Sequence, residues 1–427
     1  MTDVSEAVVA EAVGPQQSLH EQGMTGPGAG ETARKARPAS PSRRGFLGMS
    51  GAALAGAALG QFLPGIPQAF AKEAPATAAT LTPSAKAPVR LNYNENALGM
   101  APSAQRAASA SIAHSNRYPF AHMGKLQSLV ATHHKVTPES VLFTPGSSDA
   151  IRASVLAHAT PDTQLVIPEL TYGDGALYAG FYDLAINKVP SSREDWSFKL
   201  SDMQQAVADH AGPSIVYLVN PNNPTSTIIS SDALYAWVNA SRSDTLFIID
   251  EAYAEFVNDP AFRSADSLVA GGAKNVLVLK TFSKIHAMAG LRVGYAVGDA
   301  ERLEHVSHYV EDDAMTLSYP GVMAATASMQ SPEFLAHSKQ SNDEARAIFT
   351  ATLDELGWEY LPSQTNFVFH RISRPLKEFQ ADMKARHVLI GRAFPPADGW
   401  CRMSLGTPAE MHYVSAVLRE MKAKGVV

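Results

Sequence analysis

The chain has 427 residues, 45% hydrophobic and 18% charged, a balance that suits a globular protein with a sizeable core and excludes a disordered one. Lys and Arg number 35 against 41 Asp and Glu, and the net charge of −6 argues against a nucleic-acid binder. The single cysteine, Cys401, excludes an internal disulfide and a Cys-based metal cluster.

Residues 1–41 are rich in Ala, Gly, Pro, Ser, Gln and Glu, with no sustained period. Ser42-Arg43-Arg44 then precedes an apolar, Gly- and Ala-rich stretch from Phe46 to about Ile66, which ends near Ala69-Phe70-Ala71. A charged n-region, an apolar h-region and an A-x-A site describe a secretory signal. The paired arginines resemble a twin-arginine signal. Gln61, Pro64 and several glycines argue against a retained anchor, so no stable membrane insertion is expected after cleavage. Residues 1–71 are therefore read as a leader, used by the twin-arginine export machinery to place the protein in the periplasm. A leader left unused would keep it in the cytoplasm. Basic and acidic residues balance within the leader, so its removal leaves the charge at −6. Gly26-Pro27-Gly28-Ala29-Gly30 lies in this segment and follows no strand, which removes the one dinucleotide-binding candidate.

Short apolar runs follow: Val141 to Thr144, Gln164 to Pro168, Ser214 to Asn220, Thr245 to Asp250, Asn275 to Phe282 and Arg292 to Gly298. Continuous Val/Ile/Leu runs of this length suit strands buried on both faces. Helical segments such as Ala150 to Ala159 and Asp232 to Ala240 lie between them. The alternation predicts an α/β fold with a mainly parallel sheet between helices. From about Glu311 the pattern changes to longer helices (Glu333 to Leu356, Leu376 to Arg386) with short strands at Asn366 to His370 and Cys401 to Leu405. This predicts an N-terminal arm and part of a small domain over 72–120, a large domain over 121–311, and a smaller α+β domain over 312–427.

Ligands of open α/β sheets sit at the carboxyl ends of the strands. The residues there are Gly146-Ser147-Ser148, Tyr172, Asn220 to Pro224, Asp250 and Thr281 to Lys284. Each has an ordinary structural reading alone: a loop lysine, an N-cap, a strand-end turn. Together they describe a site. A lysine amine such as Lys284 can form a Schiff base with an aldehyde cofactor. Thr281, Ser283 and Arg292 could hold a phosphate, as could the helix that Ser147 and Ser148 open at Asp149 or Ala150. Asp250, buried at the end of an apolar run, needs a partner. A protonated pyridine nitrogen would be one. Tyr253 and Asn223 could bond such a cofactor's phenolic oxygen, and Tyr172 could stack on its ring. His133-His134 and His305/His308 show no matching metal ligands in the sequence and are read as surface or core residues.

With its surroundings, Lys284 resembles the S-K-x6-G-L-R-x-G-Y stretch of fold-type I pyridoxal-phosphate aminotransferases. More closely, the chain resembles their histidinol-phosphate aminotransferase branch. The matching segments are Leu91-Asn92-Tyr93-Asn94-Glu95-Asn96-Ala97-Leu98-Gly99, Arg117-Tyr118-Pro119, Asn222-Asn223-Pro224-Thr225, Asp250-Glu251-Ala252-Tyr253, Thr365-Asn366-Phe367 and Arg402 to Thr407. The likeness spans about residues 88–427. It implies the cofactor pyridoxal 5′-phosphate and transfer of an amino group between an amino acid, or a histidinol-phosphate-like amine, and a 2-oxo acid. Lys284 would bear the cofactor and move the proton, Asp250 would pair with the pyridinium, and Asn223 and Tyr253 would hold the phenolate oxygen. Tyr172 would cover the ring. Ser147, Ser148, Thr281, Ser283 and Arg292 would bind the phosphate, with Tyr118 reaching it from a partner subunit in a homodimer. Arg402 would clamp the substrate carboxylate, or a phosphate in this branch, Arg392 would be a second anion-binding arginine, and Asn94 would lie with the substrate. Ala97, Asp149, Ser226 and Phe120 depart from the branch's pattern near the substrate entrance. Decarboxylases, racemases and lyases of the same fold share these motifs and stay open as alternatives; a non-catalytic exported binding protein is the remote one.

Overall fold

A computed structural model describes residues 81–311 and 313–427; the leader lies outside the described residues. The strands, in chain order, are β1 (Val89–Leu91), β2 (Val141–Thr144), β3 (Gln164–Pro168), β4 (Ala185–Val189), β5 (Ser214–Val219), β6 (Thr245–Asp250), β7 (Val276–Thr281), β8 (Gly294–Gly298), β9 (Phe367–Arg371), β10 (Val388–Ile390) and β11 (Trp400–Ser404). Seven of them form one sheet in the order β2-β8-β7-β6-β5-β3-β4. Every pairing is parallel except those of β8, which runs antiparallel to both β2 and β7.

The central strands are apolar on both faces because helices cover both. Leu246, Ile248, Leu277 and Leu279 point into one core, with Ile151, Ala153 and Val155 of the helix Ser147–Ala157. Phe247, Ile249, Val276 and Val278 point into the other, with Leu234, Trp237 and Val238 of the helix Ser231–Ala240. Ala101 to Ala108 and Ala314 to Ala325, outside the 121–311 segment of the sequence reading, pack into this second core.

A separate core gathers Val89, Leu91, Phe349, Leu353, Val368, Phe379, Met403 and Leu418. It joins the parallel pair β1–β10 and the antiparallel pair β9–β11 to two long helices. One, Pro332–Leu356, starts with proline in its first turn and stops at Gly357, whose φ of 70° few other residues accept. The other, Pro408–Ala423, is started by a capping box in which Thr407 and Glu410 satisfy each other's backbone amides. No described helix is long and apolar enough to cross a membrane.

Candidate active site

The register of β8 assembles the site. Because β8 runs antiparallel, its first residue, Gly294, lies beside the last residues of both neighbours, Thr144 of β2 and Thr281 of β7. Arg292, two residues earlier, is thereby delivered between the Ser147 turn and the Thr281–Ser283 turn. The strand begins at Gly294 rather than at the Arg292 expected from sequence, and Arg292 takes a left-handed φ of 54°. Its Nη1 donates to Ala289 O at 2.9 Å and its Nη2 to Pro145 O at 3.4 Å.

Two glycines make this convergence possible. Gly146 has φ 90°, and a Cβ there would stand 2.3 Å from Arg292 Nη2. A Cβ on Gly294 would stand 2.6 Å from Ser147 N. The helix begins at Ser147, two or three residues before the expected start, so the Ser147 and Ser148 amides belong to its open first turn. Thr281 Oγ1 donates to Ser283 Oγ at 2.9 Å, which places a second pair of hydroxyls at the end of β7.

Asp250 ends β6 almost fully buried, at 3% exposure. Its carboxylate accepts from Tyr217 OH at 3.2 Å and from Ala252 N at 3.1 Å. Among the described residues no cation lies in ion-pair contact with it. Burial therefore dominates and pushes its pKa up to about 6. Tyr253 accepts a bond from Asn94 Nδ2 at 3.1 Å. Lys284 Nζ lies 5.6 Å from the centre of the Tyr253 ring and donates to the carbonyls of Asn94, at 3.3 Å, and Tyr93, at 3.4 Å. Asn94 is itself held in a left-handed conformation (φ 54°) by Ser404 Oγ, which bonds both its amide N–H and its side-chain oxygen at 2.9 Å.

Arg402 projects from β11 with 7% exposure. Its Nη1 donates to Asn223 Oδ1 at 2.8 Å and its Nη2 to Asn92 O at 3.1 Å, while the buried Nε has no partner among the described residues. Burial pulls its pKa below the ordinary arginine value. Arg392 is exposed, and its guanidinium stands 4.3 Å from the Phe394 ring centre; that of Arg402 stands 4.8 Å from the same ring.

These groups line one cavity of about 510 Å³. It brings together thirteen of the expected residues: Asn94, Ser147, Ser148, Tyr172, Asn223, Asp250, Tyr253, Thr281, Ser283, Lys284, Arg292, Arg392 and Arg402. Tyr118 is not among them. It is 58% exposed and contacts Phe120 edge-on at 5.8 Å. The sequence reading missed Tyr217, Ser404 and Asp174, whose carboxylate accepts from Ser148 Oγ at 2.7 Å. Tyr217 was detectable: it shares a sheet face with Asp250 inside an otherwise apolar run. Ser404 gave no such signal, since it touches Asn94 only through the fold.

The class I and II aminotransferase family matches residues 86–418. The chain belongs to that family. Histidinol-phosphate aminotransferase of Halalkalibacterium halodurans is 30% identical over 339 residues, covering 79% of this chain and 89% of its own. Histidinol-phosphate aminotransferase 1 of Bradyrhizobium diazoefficiens is 33% identical over 346 residues, 78% of this chain and 92% of its own. A solved structure from Erwinia carotovora atroseptica, provisionally named a histidinol-phosphate aminotransferase, is 49% identical with a TM-score of 0.79. It covers 81% of this chain and 99% of its own.

An aminotransferase of this family works with pyridoxal phosphate, and the residues present fit that group. The Gly146 cradle, two N-terminal helix amides, the hydroxyls of Ser147, Ser148, Thr281 and Ser283, and Arg292 suit a phosphate dianion. The buried carboxylate of Asp250, bonded only by neutral donors, suits a cationic ring nitrogen. Lys284 is the amine within the same cavity.

The two histidine pairs have structural partners. His134 Nδ1 bonds Asp266 Oδ2 at 2.6 Å and its Nε2 bonds Tyr295 OH at 2.9 Å, a carboxylate the local sequence did not reveal. His305 Nε2 donates to Ala157 O at 2.6 Å.

Proposed function

We propose that this chain is an exported, homodimeric amino-acid aminotransferase whose donor has an aromatic or otherwise bulky side chain. The observation behind it is the convergence of Lys284, Asp250 and Arg402 on one cavity with a phosphate cradle at its edge. Bound pyridoxal phosphate supplies an electron sink for the substrate Cα. Asp250 would meet the ring nitrogen with its carboxylate and hold a proton there. Tyr253 OH and the side-chain amide of Asn223 would donate to the phenolic oxygen, and Tyr172 would cover the ring. Arg402, which lines the cavity together with Lys284 and Asp250, takes the substrate carboxylate in a charge-assisted pair. Lys284, held beside the Asn94 carbonyl, would be the residue that moves the proton to and from the substrate Cα.

Arg392 stands at the exposed side of the cavity, beside the substrate side chain. Tyr118 is exposed and outside its own cavity, which supports the reading that it serves a second subunit. The twin-arginine leader makes a phosphorylated alcohol an unsuitable substrate, which favours a general amino acid over histidinol phosphate. Half-reaction kinetics with a panel of amino acids and with histidinol phosphate test this choice. Preference for a bulky amino acid supports it; preference for histidinol phosphate, with rescue of a histidine auxotroph, refutes it. Replacing Arg43 and Arg44 by lysine should retain the protein in the cytoplasm, and unchanged export would refute the leader assignment.

A further inference from the structure

The face of the sheet turned away from the cavity holds a charged cluster that the reaction does not use. Glu251 directly follows Asp250, and Lys280 directly precedes Thr281. Side chains alternate along a strand. Asp250 and Thr281 therefore point into the cavity while Glu251 and Lys280 meet behind it. Lys280 Nζ lies 2.8 Å from Glu251 Oε2 and 3.4 Å from Glu255 Oε1. Lys280 is 4% exposed and Glu251 is fully buried. The Glu251 carboxylate also accepts from Ala265 N at 2.7 Å and from Ser264 Oγ. Around the cluster this face carries Phe247, Ile249, Val276, Val278 and Val297, and also Tyr295, which pairs with Lys280 across β7 and β8 and whose hydroxyl meets His134, itself bonded to Asp266.

Burying a lysine and a carboxylate carries a desolvation penalty that an apolar pair of similar volume avoids. The pair stands where it ties the end of β6 to the end of β7, the two termini that present Asp250 and the Lys284 turn. The backbone bond from Glu251 N to Leu279 O, at 2.9 Å, lies at the same junction. We propose that Lys280 and Glu251 are positioning residues for transamination: from behind the sheet, their ion pair fixes the separation of Asp250 from the turn bearing Lys284. The proposal rests on the aminotransferase reading of the cavity.

The test is the variant Lys280→Met/Glu251→Gln, which removes both charges of the pair together; Glu255, which loses its contact with Lys280, is partly open to solvent. Three quantities are compared with the parent: kcat against KM for a working amino donor, the affinity for pyridoxal phosphate, and amide hydrogen exchange of the cofactor-free protein. We expect kcat to fall by up to about a hundredfold, as for a displacement of about 1 Å between reacting groups, with KM little changed. Cofactor affinity should weaken, and faster exchange should be confined to residues 250–256 and 280–287. Parental kcat and cofactor affinity, or exchange that rises evenly across the core, would overturn the proposal. If the double variant does not fold, Glu251→Asp keeps both charges and shortens one arm; lower kcat at unchanged KM supports the proposal and parental kcat overturns it. A parent protein that forms no visible band with pyridoxal phosphate would remove the aminotransferase reading and the proposal with it, whereas a parent band with parental variants removes the proposal alone.

Discussion

Asp250→Asn should stabilise the cofactor-free protein while crippling the enzyme. The carboxylate is buried with no cation in ion-pair contact among the described residues, and its pKa moves from 3.8 to about 6. At 1.36 kcal/mol for each tenfold change in proton affinity, holding it ionised in the fold costs about 3 kcal/mol. The sign follows from proton uptake: between these two values the folded chain binds more protons than the unfolded one, so this residue's contribution to stability falls as pH rises and is lowest above about 6. Asparagine has the same shape and no charge. Its oxygen can still accept from Ala252 N, and its amide can donate to the Tyr217 oxygen. Urea unfolding of the cofactor-free proteins from pH 4 to 8 is the assay. The variant should be more stable than the parent by up to about 3 kcal/mol at pH 8, with the gap closing toward pH 4. Saturating pyridoxal phosphate should reverse the order, because the parent alone then gains a cationic partner for Asp250. A variant less stable than the parent at pH 8 without cofactor, or a gap that widens toward pH 4, would refute the reasoning.

Gly146→Ala should weaken pyridoxal phosphate binding about tenfold or more, because the new methyl would stand 2.3 Å from Arg292 Nη2 and push that guanidinium out of the cradle. Equilibrium titration checks this, and parental affinity would contradict it. Arg402→Gln should lower kcat/KM for an amino acid about 10- to 100-fold, the worth of a charge-assisted bond of ~1.5–3 kcal/mol, while the cofactor's visible band persists. Thr407→Ala removes the cap of the helix Pro408–Ala423 and should cost about 1 kcal/mol in a denaturant melt, with kcat unchanged.

The strands that build the site were legible because they are buried on both faces. Val141–Thr144, Gln164–Pro168 and Thr245–Asp250 occur with the bounds expected from sequence. β4 was not foreseen: its residues Ala185 to Lys188 are exposed at the sheet edge, so no apolar run marks it. β1 and β10 are three-residue strands that pair only with each other, too short for any periodicity to show. The antiparallel sense of β8 was equally hidden, since an apolar run does not reveal its direction, yet this sense is what brings Arg292 to Thr281. Lys284, Asp250 and Asn223 were readable from their places at strand ends. Ser404 was not, because its role comes from a contact with Asn94, 310 residues away in sequence.

The central claim is that Lys284 bears pyridoxal phosphate in a working aminotransferase. The most direct test is the visible absorption spectrum of the purified protein and of Lys284→Ala, each supplied with pyridoxal phosphate and then titrated with amino acids. A visible band in the parent, lost or altered in the variant and converted by an amino donor to the pyridoxamine form, is the expected result. No band in the parent, or an identical and equally reactive band in Lys284→Ala, would contradict the account.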